Sequence, residues 1–212
     1  MAIICSDTKL CDIVITEPSC ITVLNRFNIF LGLGDKTVND ICAEKGLNLD
    51  FFIAILNTYL NEDYMLEDAL MSSNINDIIE YFRKTNEYYQ GLLIPNIERH
   101  FDVLVMKSSS GKNNLMLLRK FFDEVKHELN TRIANDNELF SKLSTVNGIH
   151  EENDFIEDKL SDLINMFIIH LKGEYDINLC QAVITSFISF QKDIRQNNRI
   201  RYRILIPMLC KL

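Results

Sequence analysis

The sequence predicts an all-α chain: a small three-helix N-terminal domain followed by an antiparallel four-helix bundle. Three observations predict it. Apolar residues recur at helical spacing, with no run at strand period. Only seven glycines and three prolines punctuate 212 residues, so turns are few and helices long. Four long amphipathic stretches are joined by short links, the pattern of an antiparallel bundle.

Residues 1–62 read as the N-terminal domain. Asp12-Ile13-Val14 leads to Glu17-Pro18-Ser19, and Pro18 suits the first turn of a helix through Val23, Leu24 and Phe27. The Gly-rich turn Leu31 to Thr37 follows. Thr37 is placed to cap a short helix, VNDICAEKG, that stops at Gly46. Asp50 opens a third helix with Phe51, Ile55 and Tyr59 at helical spacing. Residues 63–74 form a polar connector.

Residues 75–212 read as the bundle. Helix A runs from about Ile75 to Met106, with Ile78, Phe82, Tyr89, Leu93, Ile97, Phe101 and Leu104 as its apolar stripe. Pro95 lies inside it and predicts a kink or break. The turn Ser108 to Asn114 ends it. Helix B covers roughly Leu115 to Leu143, helix C roughly Asp154 to Leu171 and helix D roughly Asn178 to Leu209.

Composition excludes several classes. A net charge of −8 argues against general nucleic-acid affinity, which needs phosphate-neutralising cations. No apolar run approaches the ~20 residues of a membrane helix, and the N-terminus lacks a secretory pattern. Six scattered cysteines without a CxxC pair read as reduced thiols, mostly small buried hydrophobes, in a cytoplasmic protein.

Two segments carry a resemblance. The run from Asp12 to Leu47 holds Pro18, Asn28-Ile29 and Ile41-Cys42, and the run from Asp193 to Pro207 holds Leu205 and Pro207. Both resemble the iron–sulfur cluster repair proteins, di-iron proteins of nitrosative stress. That family joins an N-terminal helical domain with a vicinal Cys-Cys turn to a hemerythrin-like bundle. Here the vicinal cysteines fall at Gly32 and Leu33. The resemblance implies a hemerythrin-like four-helix bundle whose helices once donated inward His and Glu to two irons.

Carried onto this chain, the family's ligand positions fall on other residues. In helix A they are Asn86 and Glu87; in helix B, Arg132 and Asp136; in helix C, a position near Asp158; in helix D, Asn197 and Arg201. A guanidinium is always charged and repels a cation. The expectation is a polar network in which Arg132 and Arg201 pair with Asp136, Glu87 or Asp158, arginine's planar fork filling the vacated space. The alternative keeps a hard cation through the oxygens of Glu87, Asp136 and Asp158.

The four histidines do not rebuild a site. His100 follows Asn86 by 14 positions, about 21 Å along a helix. His127 precedes Arg132 by five, about 140° around the helix. His150 sits in the link before helix C and His170 at its end, and none of the four has the His-x-x-x-His or His-x-x-x-Glu spacing.

Lys192, Arg195, Arg199 and Arg203 recur at three to four residues and share one face of helix D. They form either an interaction face for an acidic partner or nucleic acid, or a surface paired with the acidic start of helix C (Glu151, Glu152, Asp154, Glu157, Asp158). The SSSGKNN turn lacks the order of a phosphate loop. Tyr81, Phe82, Tyr88 and Tyr89 read as core, with the lining of a pocket or partner groove as the alternative.

The expectation for function is a non-enzymatic, metal-free, hemerythrin-like regulatory or binding protein related to the cluster-repair and stress-response proteins. It needs no cofactor and acts on a protein partner or small ligand, alone or as a homodimer, without membrane or nucleic acid. Two alternatives stand beside it. One is a di-iron stress-response or repair protein with an altered ligand set; the other is a sensory module of a transcriptional regulator.

Overall fold

A computed structural model describes residues 3–64, 74–108, 112–142 and 155–210. Among these residues every regular element is a helix, and extended pairing is reduced to an isolated antiparallel bridge between Lys9 and Thr37. No described helix is long and apolar enough to cross a membrane. The chain forms two compact units, Met1–Lys84 with Gln196–Leu212, and Thr85–Arg195.

The first unit holds α1 (Leu10–Thr16), α2 (Cys20–Arg26), α3 (Val38–Lys45) and α4 (Leu49–Leu60). It also takes the start of α5 (Ile75–Tyr88) and the end of α9 (Ile177–Ile200), then a π-helical turn, π2 (Arg201–Leu205), and α10 (Ile206–Leu209). Helix α1 was not anticipated, because Ile13, Val14, Ile15 and Thr16 are β-branched and weak helix formers. Burial of Leu10 and Ile13, and a bond from the Leu10 amide to the Lys36 carbonyl (3.1 Å), override that preference.

Pro18 lies two residues ahead of α2, whose first residues bond back to Glu17 and Pro18. The helix ends in a Schellman motif. Asn28 takes the left-handed conformation (φ 56°), the Ile29 amide bonds the Leu24 carbonyl, and the Asn28 amide bonds that of Asn25. In α3 the capping box is reciprocal. The Asp40 amide donates to Thr37 Oγ1 (3.2 Å) and the Thr37 amide to Asp40 Oδ2 (2.9 Å). Gly46 closes that helix at φ 65°. Helix α4 opens at Leu49, one residue before Asp50, because the Asn48 side chain caps it by accepting the Phe51 amide (3.0 Å).

Phe27 meets the rings of Phe52 and Tyr81 at 4.9 and 5.6 Å between centroids, inside a core that includes Leu24, Ile55, Tyr59 and Phe82. Asn57, fully buried, ties down the N-terminal segment. It accepts the Ile4 amide through Oδ1 and donates through Nδ2 to the Ile4 carbonyl, both at 2.9 Å.

The second unit holds the end of α5, a π-helical turn π1 (Tyr89–Leu93), α6 (Ile94–Lys107), α7 (Lys112–Ser141), α8 (Ile156–His170) and most of α9. Its core has one aromatic layer, to which Phe101, Phe122, Phe167 and Phe187 bring a ring each from α6, α7, α8 and α9. Neighbouring centroids lie 5.0 to 6.4 Å apart. Outside it, Arg119 bonds Asp102 and Glu98, and Lys159 of α8 bonds Glu128 of α7 (2.7 Å).

At Pro95 the regular α-helical ladder is interrupted by a π-helical turn, and helical structure continues beyond it in α6. The π-turn widens the ladder, so that the Ile94 amide reaches the Tyr89 carbonyl five residues back. A proline ring in a regular helix would strike the carbonyl four residues earlier, here that of Gly91. Pro207 repeats the arrangement: the Ile206 amide bonds the Arg201 carbonyl, and the shared Leu-Ile-Pro sequence follows the turn both times.

Candidate functional site

The expected ligand positions lie on described residues of α5, α7, α8, α9 and π2. In the second unit, Asn86 and Asp136 are both buried, and Asn86 Nδ2 donates to Asp136 Oδ2 at 3.2 Å. Arg132, one turn earlier on α7, is half-buried, whereas Glu87 and Asp158 are exposed on their helices. Three residues beyond Asn86, at the start of π1, the buried Tyr89 hydroxyl donates to Asp193 Oδ2 at 2.8 Å. Two interior carboxylates are therefore each met by a side-chain donor from the α5–π1 segment.

In the first unit, Asn197 belongs to a different group. The Tyr81 hydroxyl donates to Asn197 Oδ1 at 2.8 Å, and Arg26 Nη1 donates to the Tyr81 hydroxyl at 3.2 Å and to Asn197 Oδ1 at 3.4 Å. All three side chains are buried, and the Arg26 guanidinium lies 5.6 Å from the Tyr81 ring centroid. Arg201 packs its guanidinium over the Phe82 ring, 4.9 Å from the centroid, a cation–π contact. Gln196 and Asn198 flank Asn197 and are buried as well.

Sequence reasoning missed Arg26, Asp193 and Gln196 as interior polar groups, and read Tyr81 and Tyr89 as core or pocket-lining rings without assigning partners to their hydroxyls. The signal available was a lone arginine beside the stripe Val23-Leu24-Phe27, and an Asp-x-x-Gln-Asn-Asn run inside an otherwise periodic helix.

The basic stripe is divided among several contacts. Arg195 bonds Glu157 (3.3 Å), the pairing with the start of helix C that the sequence allowed. Arg199 donates to the carbonyls of Thr58 and Tyr59 (3.2 and 3.3 Å) at the C-terminal turn of α4, where a cation also meets the negative end of the helix dipole. Arg203 donates to the Tyr64 carbonyl (2.9 Å), and Lys192 is exposed. Glu151, Glu152, Asp154 and His150 lie outside the described residues.

Among the described residues, no three His, Cys, Asp or Glu side chains gather as a metal-ligand set. His100 is half-buried, and His127 and His170 are exposed. Burial pushes the thiols of Cys20 and Cys42 up to about 11, and raises that of Cys180, so these sulfurs are weak nucleophiles at neutral pH. What the two buried groups do chemically is hold donors and acceptors in fixed directions.

The class these observations define is an all-helical protein with hydrogen-bonded polar groups built into its apolar interior. No protein-family model, no curated protein and no solved structure matches the chain.

Proposed function

We propose that this chain is a non-enzymatic, metal-free relative of the hemerythrin-like cluster-repair proteins, acting as a regulatory or binding module for a protein partner or small ligand. In this reading residues 1–62 are the small N-terminal domain and residues 75–212 an antiparallel four-helix bundle that keeps the family's frame without its di-iron site.

The observation that carries the reading is what the family's ligand positions do here. Asn86 donates its amide to Asp136, Asn197 accepts from Tyr81 and Arg26, and Arg201 lies on Phe82. A di-iron centre needs imidazole nitrogens and several inward carboxylates. These positions instead supply amides and guanidinium groups, and Glu87 and Asp158 face solvent. The donor set therefore does not fit two irons, and no chemistry is routed through them.

Metal analysis of protein produced in iron-supplemented medium tests the proposal. The expected result is iron well below one equivalent per chain, and no absorption band from an oxo bridge. Stoichiometric iron with such a band would overturn it in favour of the altered-ligand di-iron alternative.

A further inference from the structure

The N-terminal helices of the first unit are too short to hold themselves. Helices α1, α2 and α3 have seven, seven and eight residues and α4 has twelve. An isolated helix below about 12–15 residues is marginal in water, and a unit this small has little interior of its own. Its completion comes from the far end of the chain, Gln196–Leu212. That segment buries Ile200, Ile204, Leu205, Met208 and Leu209. Its polar side chains reach back as well. Asn197 accepts from Tyr81 and Arg26, Arg199 donates to the carbonyls of Thr58 and Tyr59, and Arg203 to that of Tyr64. These bonds join residues 116 to 171 positions apart, so no local contact replaces them.

The second unit is built differently. Its helices α6 to α9 have 14 to 30 residues. The buried apolar cluster that contains the phenylalanine layer runs from Tyr89 to Ile194, and every member of it lies within Thr85–Arg195. Neither the C-terminal segment nor the helices it holds contribute a residue to that cluster.

We propose that Gln196–Leu212 is a strap, whose release opens the first unit while the second stays folded. With the strap seated, the C-terminal turn of α4 is capped by Arg199, and Arg26 of α2 is fixed on Asn197. Without it, α2 and α4 lose both bonds and cover, and their apolar faces (Val23, Leu24, Phe51, Phe52 and Ile55) reach water. Two oxygens buried in this unit, Thr58 Oγ1 on α4 and Gln196 Oε1 on the strap, have no hydrogen-bond partner among the described residues. Opening hydrates both, which offsets part of the cost of exposing the apolar faces. The chain thus has a partly open form in which the first unit is the low-stability element.

Hydrogen exchange of the full native chain in low urea, read by mass spectrometry on peptic peptides, tests the proposal. Asn197→Ala and Leu205→Ala are separate strap variants, and Val183→Ala, in the core of the second unit, is the control. After correction for intrinsic rates, wild-type peptides of α2, α4 and the strap should share one rate, at least about tenfold faster than peptides of α7 and α8. Each strap variant should speed exchange in α2 and α4 at least about tenfold and in α7 less than about threefold, while the control leaves α2 and α4 within about threefold. Circular dichroism identifies a variant that fails to fold, and the other strap variant then carries the comparison. Strap peptides that exchange while α2 and α4 stay protected would refute the shared opening. Equal acceleration of α4 and α7 by the strap variants would show one cooperative molecule with no strap in it.

Discussion

Replacing Tyr81 with Phe isolates the hydrogen bonding of the Arg26–Tyr81–Asn197 group from its packing. The Phe ring keeps the contacts with Phe27 and Phe82, at 5.6 and 5.5 Å between centroids, so the change removes one hydroxyl and little volume. That hydroxyl donates to Asn197 Oδ1 at 2.8 Å and accepts from Arg26 Nη1 at 3.2 Å. A neutral bond contributes about 0.5–1.5 kcal/mol, and one to a charged group about 1.5–3 kcal/mol. Arg26 retains its 3.4 Å bond to Asn197, which offsets part of the loss.

The expected cost is therefore about 2–3 kcal/mol of unfolding free energy. At a slope of about 2 kcal/mol per molar urea, the midpoint falls by roughly 1–1.5 M. Urea titration followed by far-ultraviolet circular dichroism reads the shift. A double-mutant cycle with Asn197→Leu should return a coupling of at least about 1 kcal/mol, since the two residues share one bond. A midpoint shift below about 0.2 M, or a coupling near zero, would refute the claim that this group is a bonded unit rather than three polar side chains that happen to be buried.

Four further outcomes follow from local geometry. Thr37→Ala removes half of the α3 capping box and should cost about 1 kcal/mol in thermal or urea unfolding. The Thr37 amide and hydroxyl hold the Asp40 carboxyl below the usual Asp range, so Asp40's contribution is present above that range and is lost as pH falls through its folded value. An Asp40→Asn chain should accordingly lose less stability than wild type between pH 5 and pH 2. Pro95→Ala should change stability by less than about 1 kcal/mol, because the π-turn already relieves the clash; a gain near 3 kcal/mol would show that it does not. In native protein at pH 8 the exposed Cys5 and Cys210 should react readily with a thiol reagent, while Cys20 and Cys42 react only on unfolding, as mapped by mass spectrometry.

Much of the helical content was legible because amphipathic periodicity and end signals are local. The Thr37 cap, the Gly46 stop and the long stripes of α6 to α9 were readable from residues within one or two turns. Helix α1 was not, because a β-branched run becomes helical here through burial and a bond to Lys36, partners distant in the chain. The π-turns were hidden for another reason. A proline announces a missing amide, but whether a helix kinks, ends or widens depends on what surrounds it. The interior polar groups were half legible. Asn86, Asp136, Asn197 and Arg201 were named from a family frame, but their partners Arg26, Tyr81 and Phe82 come from parts of the chain that the frame did not single out.

The paired bonds between Asn57 and Ile4 make one side-chain amide do the work of a neighbouring strand: it accepts and donates at the same residue. Glutamine apart, no other side chain offers both in that planar geometry, and aspartate, though nearly isosteric, offers only acceptors when ionised. Hydrolysis of this amide, with loss of ammonia, would therefore set a carboxylate against the Ile4 carbonyl and release the first residues of the chain. That reaction ordinarily begins with attack of the next residue's backbone nitrogen on the side-chain carbonyl, a geometry closed to a buried residue inside α4. The packing of the helix thus protects the chemical identity of the group that holds the N-terminal segment.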